Sequence, residues 1–321
     1  MVGASETENW TAARIPPQAG RLAVVVGATG DLGHATALAL AQAGADIVLA
    51  GHDEFEGFRV VNQIRPQATA ALVRFEKLNP ACLTSVSAFA AKMRAADRPV
   101  DLLINYCTGT IPLARQVTSD GFEMQLGANY LAHFALTAQL LPLLRRSRKP
   151  RVVEVGNLCD RSGAILSIQF DDLQMERAYD PWKAYCQAML ATLLFAQELQ
   201  RRSDLLNWGL TAVAAHPGNL RPRMTANGDS PTGPARRLRG SMAAPMDASP
   251  SHSAEEGALP ALFAATAPDI RRGGSYGPDG PSETAGPAEQ AGLGQNASGE
   301  EDALRLWEMT EQLIGIKWPA E

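Results

Sequence analysis

Five consecutive apolar residues, Leu22-Ala23-Val24-Val25-Val26, run directly into Gly27-Ala28-Thr29-Gly30-Asp31-Leu32-Gly33. That junction constrains the fold more than any other segment. A run this short and this continuous reads as a strand buried on both faces, over residues 21–26. The glycines break it, and helical spacing resumes over 32–42. The alternation then recurs: further strands are expected at 45–50, 70–75, 100–105, 151–155 and 210–215, with helices at 57–64, 84–95, 121–145 and 181–202. Strands alternating with helices at this spacing predict an α/β chain with a parallel sheet doubly wound by helices on both faces.

The rest of the chain is organised around that unit. Residues 1–20 are polar and proline-bearing and read as a lead-in arm; 21–280 read as a single domain. Within it, 219–254 are rich in Pro, Gly, Ser and Arg, 255–266 return to helix, and 274–280 supply a last strand and turn. Residues 281–300 hold few bulky apolar side chains and are expected to be mobile. The C-terminal segment 301–318 is expected to hold an amphipathic helix over Glu301–Ile314, with Leu306, Met309 and Leu313 lining one side. No internal repeat is visible.

Composition excludes several classes of function. The chain has 321 residues, 45% of them hydrophobic, and a net charge of −5, which argues against a general nucleic-acid or anionic-membrane surface. The basic cluster Arg236-Arg237-Leu238-Arg239 is short and reads as a solvated loop. No signal architecture opens the sequence, and no uncharged apolar run is long enough to span a membrane. Four cysteines without a CxxC pair fit reduced thiols and a cytoplasmic location. Without a signal peptide, the acceptor triplet Asn296-Ala297-Ser298 carries no weight.

A glycine-rich turn between a buried strand and a helix can hold a phosphate. Glycine permits the tight bend and the close approach, and the helix N-terminus faces the anion. Gly27, Gly30, Asp31, Leu32 and Gly33 are therefore candidate nucleotide contacts. Asp31 places a carboxylate in the turn, either repelling the phosphates or pointing to solvent from the first helical turn.

Ala178-Tyr179-Asp180-Pro181-Trp182-Lys183-Ala184-Tyr185-Cys186-Gln187-Ala188-Met189, followed by an apolar run and by Glu198-Leu199-Gln200-Arg201-Arg202, resembles the active-site helix of the short-chain dehydrogenase/reductase family, in its retinol-dehydrogenase-like branch. The resemblance covers the chain from Trp10 to about Trp318. It implies a Rossmann-like single domain with a variable substrate lid at 219–254. It also implies NAD(P)-linked interconversion of a small apolar carbonyl or alcohol. No metal is implied; a homodimer stays open.

The resemblance also assigns the site. Tyr185 stands at the general acid/base of the family's Tyr-x-x-x-Lys motif, and the lysine position is Met189. Asn157 occupies the serine position that orients the substrate carbonyl. Its amide can donate, or it can serve as a strand-end turn residue bonded to its own backbone. Asn129 matches the asparagine that holds the proton-relay water. Asn105 heads the family's Asn-Asn-Ala-Gly, continued here as Tyr106-Cys107-Thr108, which adds bulk beside the cofactor. His52 stands where an arginine pairs the 2′-phosphate, Gly51 where NAD-preferring members carry aspartate, and Asn79 where an aspartate takes the adenine amino group. Alternatively, His52 and Asn79 are exposed polar residues with no ligand. Pro217 and Gly218 border the cofactor, and Pro222 removes a hydroxyl from it.

Losing the lysine matters electrostatically. Two unit charges about 5 Å apart at an effective dielectric of ~20 interact by roughly 3 kcal/mol, a little over two pKa units. Without that neighbour, Tyr185 is left near the ordinary phenol value of about 10. Lys183, two residues away, lies on the other side of the helix. Weak cofactor binding with little preference is expected. The rival reading is a lapsed enzyme: a binding or regulatory scaffold, or a non-redox catalyst using Tyr185. Cys107, Cys159 and Cys186 all border the family's site and read as small apolar residues rather than a thiol cluster. His133 and His216 read as packing residues.

Overall fold

The computed structural model describes residues 10–107, 110–157, 167–218, 223–225, 253–278, 288–291 and 299–319. Its elements in chain order are β1 (Leu22–Val26), α1 (Asp31–Gln42), β2 (Asp46–Gly51), α2 (Glu54–Ile64), β3 (Val73–Lys77), α3 (Leu83–Ala95), β4 (Leu102–Tyr106) and β5 (Thr110–Pro112). There follow α4 (Met124–Leu126), a π-helical turn (Gly127–Leu131), α5 (Ala132–Leu144), β6 (Arg151–Val155), α6 (Pro181–Leu205), β7 (Thr211–Ala215) and β8 (Arg223–Thr225). The chain closes with α7 (Ala254–Thr266), β9 (Ser275–Pro278), β10 (Ala288–Ala291) and α8 (Glu300–Ile314).

The main sheet has the order β3-β2-β1-β4-β6-β7-β9-β10. Every pairing in it is parallel except that of β10 with β9. The order reverses between β1 and β4, the crevice where doubly wound sheets bind ligands. Register keeps the carboxyl ends level there: Val26 pairs with Asn105, Tyr106 with Val155, and Val155 with Ala215. Gly27, Cys107, Gly156 and His216 therefore leave the sheet along one edge.

Strand side chains alternate between two cores. Leu22, Val24, Val26, Leu103 and Val152 pack with α3, α5, α6 and α8. Ala23, Val25, Ile104, Tyr106, Val153 and Val155 pack with α1, α2 and α7 on the opposite face. The lead-in arm is anchored at Trp10, whose ring meets Phe263 of α7 edge-on at 5.4 Å.

Several boundaries differ from the sequence expectation. The third strand begins at Val73 rather than residue 70. The chain is still turning before it, with the Ala71 N–H donating to the Ala68 carbonyl, and it first meets β2 where the Leu72 N–H donates to the Asp46 side chain. Helix α2 starts three residues early because the Asp53 side chain accepts from the Glu56 N–H and caps it. The 121–145 helix begins only at Met124, capped by Glu123. The mobile stretch expected over 281–300 contains β10, which extends the sheet antiparallel. The C-terminal helix, by contrast, ends at Ile314 as expected, where Gly315 turns left-handed at φ 68°. Its buried side is Ala303, Leu306, Trp307 and Thr310, while Leu313 is exposed. Small strands β5 and β8 pair in parallel outside the main sheet. The sequence expectation had neither, and β8 lies within the residues read as lid.

Trp307 binds the C-terminal helix to the core. Its ring lies 4.8 Å from Phe134 and 4.7 Å from Trp318, with the Arg202 guanidinium 4.4 Å over its face. Trp307→Ala is expected to cost about 3–5 kcal/mol, read as a lower denaturation midpoint at unchanged slope.

Candidate active site

The turn after β1 has the geometry of an anion cradle. Gly27 sits at φ +75° with β4 directly above it; a Cβ there would stand 3.0 Å from Tyr106 Cβ. At Gly33 a Cβ would meet the Gly27 carbonyl oxygen at 2.5 Å, so only glycine lets α1 approach the turn this closely. Gly30 is exposed and caps α1 with extended backbone and no side-chain bond. The first N–H groups of α1, at Asp31, Leu32 and Gly33, thus open the helix without intrahelical partners. Asp31 is exposed at the first helical position. Burial, reinforced by Arg59, holds His34 below the ordinary imidazole range, so it adds no cation at neutral pH. The cradle fits a dinucleotide pyrophosphate.

The adenosine-side candidates are less committed. His52 is exposed at the end of β2. Asn79 turns its amide oxygen onto the Ala81 N–H at 3.0 Å, a local turn that occupies one lone pair. A Cβ on Gly51 would stand 3.2 Å from Thr29 Cγ2, leaving little room for a carboxylate there.

Tyr106 does not add its bulk to the face that carries Asn129 and Tyr185. Strand parity sends its ring to the α1 side, where it is buried and its hydroxyl lies 2.5 Å from Thr36 Oγ1. Burial pushes that phenol well above its ordinary pKa. Asn105, on the other face, is fully buried, and its Nδ2 donates to Glu154 Oε1 at 2.6 Å. Glu154 Oε2 lies 3.0 Å from His133 Nδ1. His133 is therefore more than a packing residue: with Glu154 and Asn105 it ties α5, β6 and β4 together behind the site. Thr108, Cys159, Pro222, the Arg236-Arg237-Leu238-Arg239 cluster and Asn296-Ala297-Ser298 lie outside the described residues.

Asn129 lies in the π-helical turn, a distortion that often marks functional sites. It is fully buried, and its Nδ2 donates to Gln125 Oε1 at 2.9 Å. Gln125 donates in turn to the Thr110 carbonyl. The Asn129 carbonyl lies 3.7 Å from Cys107 Sγ. Sequence reasoning did not single out Gln125; its place one helical turn before Asn129 was the available signal.

Helix α6 brings the central residues together. Asp180 caps it by accepting from the Lys183 N–H at 2.8 Å, and Pro181 opens it. Tyr185, Cys186, Ala188 and Met189 are buried in one cluster with Ile111, and Cys107 and Trp182 pack against it. The Trp182 and Tyr185 rings lie 5.7 Å apart. Met189 Sδ is 3.4 Å from where a Cβ on Gly156 would stand, so the thioether abuts the strand end that carries Asn157. Asn157 is half-buried and Lys183 is exposed. At the end of β7, Gly218 N–H donates to His216 Nδ1 at 3.3 Å, beside buried Pro217. Among the described residues, no three His, Cys, Asp or Glu side chains are grouped to hold a metal, and no helix is long and apolar enough to cross a membrane.

Residues 21–232 match the short chain dehydrogenase family model. The chain belongs to that family. Among its relatives within it, mouse polyprenol dehydrogenase is 38% identical over 94% of this chain and 86% of that protein. Human retinol dehydrogenase 13 is 34% identical over the same shares. A solved structure of an uncharacterised protein from Mycobacterium paratuberculosis superposes with a TM-score of 0.76 at 32% identity, covering 97% of this chain and 99% of that one. Family membership makes the fold Rossmann-like and the chemistry class that of NAD(P)-linked oxidoreductases.

Proposed function

We propose that this chain interconverts an apolar alcohol and its carbonyl compound with NAD(P), at a rate limited by the loss of the lysine at position 189. The observation that carries the reading is the cluster placing Tyr185 with Met189, Ile111 and Cys107 at the carboxyl edge of the sheet, on the face that also carries Asn129. Relatives named for retinol and polyprenol support an apolar substrate. The turn at Gly27, Gly30 and Gly33, with the first N–H groups of α1, would hold the pyrophosphate; His52 and Asn79 would flank the adenosine.

When bound, the nicotinamide supplies or accepts the hydride. The Tyr185 hydroxyl gives its proton to the carbonyl oxygen in reduction and takes it back in oxidation. Asn157 donates an amide N–H to the same oxygen, and Asn129 supports the water through which the tyrosine recovers its proton. The apolar wall of Ile111, Met189 and Trp182 excludes bulk water from the reacting centre. The second reading, a scaffold that has left hydride transfer, is favoured by one feature: beside Gly156, where the strand end carries Asn157, Met189 presents a thioether, a poor acceptor and no donor.

Titration of the purified protein with NADH and NADPH, followed by ligand fluorescence, tests the proposal. Binding is expected in the range of about 10 µM to 1 mM with less than about tenfold preference. Submicromolar affinity for either would show that the substitutions at Asp31, His52, Asn79 and Met189 weigh less than argued. No binding of either at millimolar concentration would leave the scaffold reading.

A further inference from the structure

Glu123 is a buried carboxylate that the chemistry above does not use, and it bonds both to the start of the helix that leads to Asn129 and to Tyr179, just ahead of the cap of α6. Its Oε1 accepts from the Gln125 N–H at 3.0 Å and its Oε2 from the Leu126 N–H at 2.8 Å. These bonds start the helix whose π turn presents Asn129. On the other side, the Tyr179 hydroxyl reaches Glu123 Oε1 at 3.5 Å. Tyr179 immediately precedes Asp180, the cap of α6, and lies six residues before Tyr185. The Glu123 N–H also donates to Gln174 Oε1 at 2.7 Å, drawing the same incoming segment onto α4.

We propose that Glu123 is a positioning residue for the reaction, joining the start of the Asn129 helix to the start of the Tyr185 helix through Tyr179, so that the alignment of the two depends on an ionised carboxylate. The inference rests on the oxidoreductase reading above and deepens it. Charge-assisted bonds to a carboxylate are roughly twice as strong as neutral ones. Protonating Glu123 weakens all three bonds at once and loosens both helix starts together. Burial raises the Glu123 pKa above the ordinary carboxylate range despite the opposing pull of its two backbone donors, Arg115 and Tyr179. Among the described residues, the charged and titratable groups around it are few. Arg115 comes from the segment after β5 and is itself 3.8 Å from exposed Glu176, and Asp180 acts on Tyr179. Burial and the nearby carboxylate keep the Tyr179 phenol protonated, hence a donor, throughout the working range.

The sign of the pH effect follows. A carboxylate with a raised pKa is ionised only above that pKa, so alignment is lost as pH falls through it, nearer neutrality than for an ordinary glutamate. Carbonyl reduction isolates this limb, because Tyr185 as proton donor stays protonated on the acid side.

Two measurements on the full chain decide the matter, using wild type, Glu123→Gln, Tyr179→Phe and the double variant. In reduction of medium-chain aldehydes with NADH or NADPH from pH 5 to 8, wild-type kcat should fall on the acid side. Glu123→Gln should lower neutral-pH kcat about tenfold, leave KM within about twofold, and abolish the acid limb. Tyr179→Phe should lower kcat similarly, and the double variant should be no worse than the poorer single, because the two groups form one link. Hydrogen–deuterium exchange of the ligand-free protein at pH 7 should quicken over 181–188 in both single variants, and over 124–131 in Glu123→Gln. Quickening confined to 124–131, with Tyr179→Phe silent, would reduce Glu123 to a helix cap and overturn the proposal; so would an acid limb that persists in Glu123→Gln. If wild type turns over no aldehyde, the oxidoreductase reading fails while exchange still decides the coupling. If Glu123→Gln does not fold, Tyr179→Phe, which removes one hydroxyl, carries both measurements.

Discussion

Alcohol oxidation by this chain is expected to climb about tenfold per pH unit and to keep climbing beyond pH 9, and Tyr185→Phe is expected to remove it. The base in oxidation is the Tyr185 phenolate, and the group four residues on that would favour it is a thioether, Met189. Tyr185 is buried in a cluster with Ile111, Cys186 and Met189, and burial opposes ionisation of a phenol. An ordinary phenol, with a pKa of about 10, is ionised in only about one molecule in a thousand at pH 7. Removing the hydroxyl should then cost about 10²–10⁴-fold in rate. Initial rates with a medium-chain alcohol between pH 6 and 10.5, wild type beside Tyr185→Phe, check both halves. A plateau near neutral pH that survives in Tyr185→Phe would mean that another base does the work.

The sequence showed the fold because buried parallel strands leave an unmistakable mark: Leu22 to Val26 is apolar at every position, and Arg151 to Val155, apolar at three of its five, is buried at four. It also showed the glycine turn, where Gly33 admits no side chain at all. Side-chain direction was harder. Tyr106 counted as bulk beside the cofactor, yet the period-two rule applied to β4 already sends 102, 104 and 106 to one core and 103 and 105 to the other. The Glu154–His133–Asn105 group was illegible, since three polar residues on three elements meet only through strand register and helix docking. The same is true of Glu123 and Tyr179, 56 residues apart. Strand β10 was missed for a different reason: Ala288–Ala291 is too poor in bulky apolar residues to read as a strand, and it exists because the edge of β9 is there to pair with.

Reversal of the substitutions gives the largest expected effect, and the structure narrows which ones to reverse. Met189→Lys alone should move the oxidation limb down by about two pH units through proximity of charge, and give the nucleotide ribose a donor. It should still yield little turnover while Asn157 holds the carbonyl from a longer arm, and while Cys107, half-buried and 3.7 Å from the Asn129 carbonyl, crowds the relay position. Asn157→Ser and Cys107→Ala added to Met189→Lys should raise turnover well beyond the product of the separate effects, because groups acting as one catalytic unit are not additive. Tyr106 is best left in place. Its ring fills the core against α1 and its hydroxyl is bonded to Thr36, so Tyr106→Asn would open a cavity costing about 3–5 kcal/mol and confound the comparison. The triple variant beside wild type, with nicotinamide oxidation followed against medium-chain and aromatic aldehydes and ketones, separates two histories. A gain on the order of 100-fold or more marks a site that has lapsed from hydride transfer. A loss marks one adapted to a chemistry that uses Met189 and Asn157 as they stand, and wild-type turnover of about 1 per second or faster would show that the site is not impaired at all.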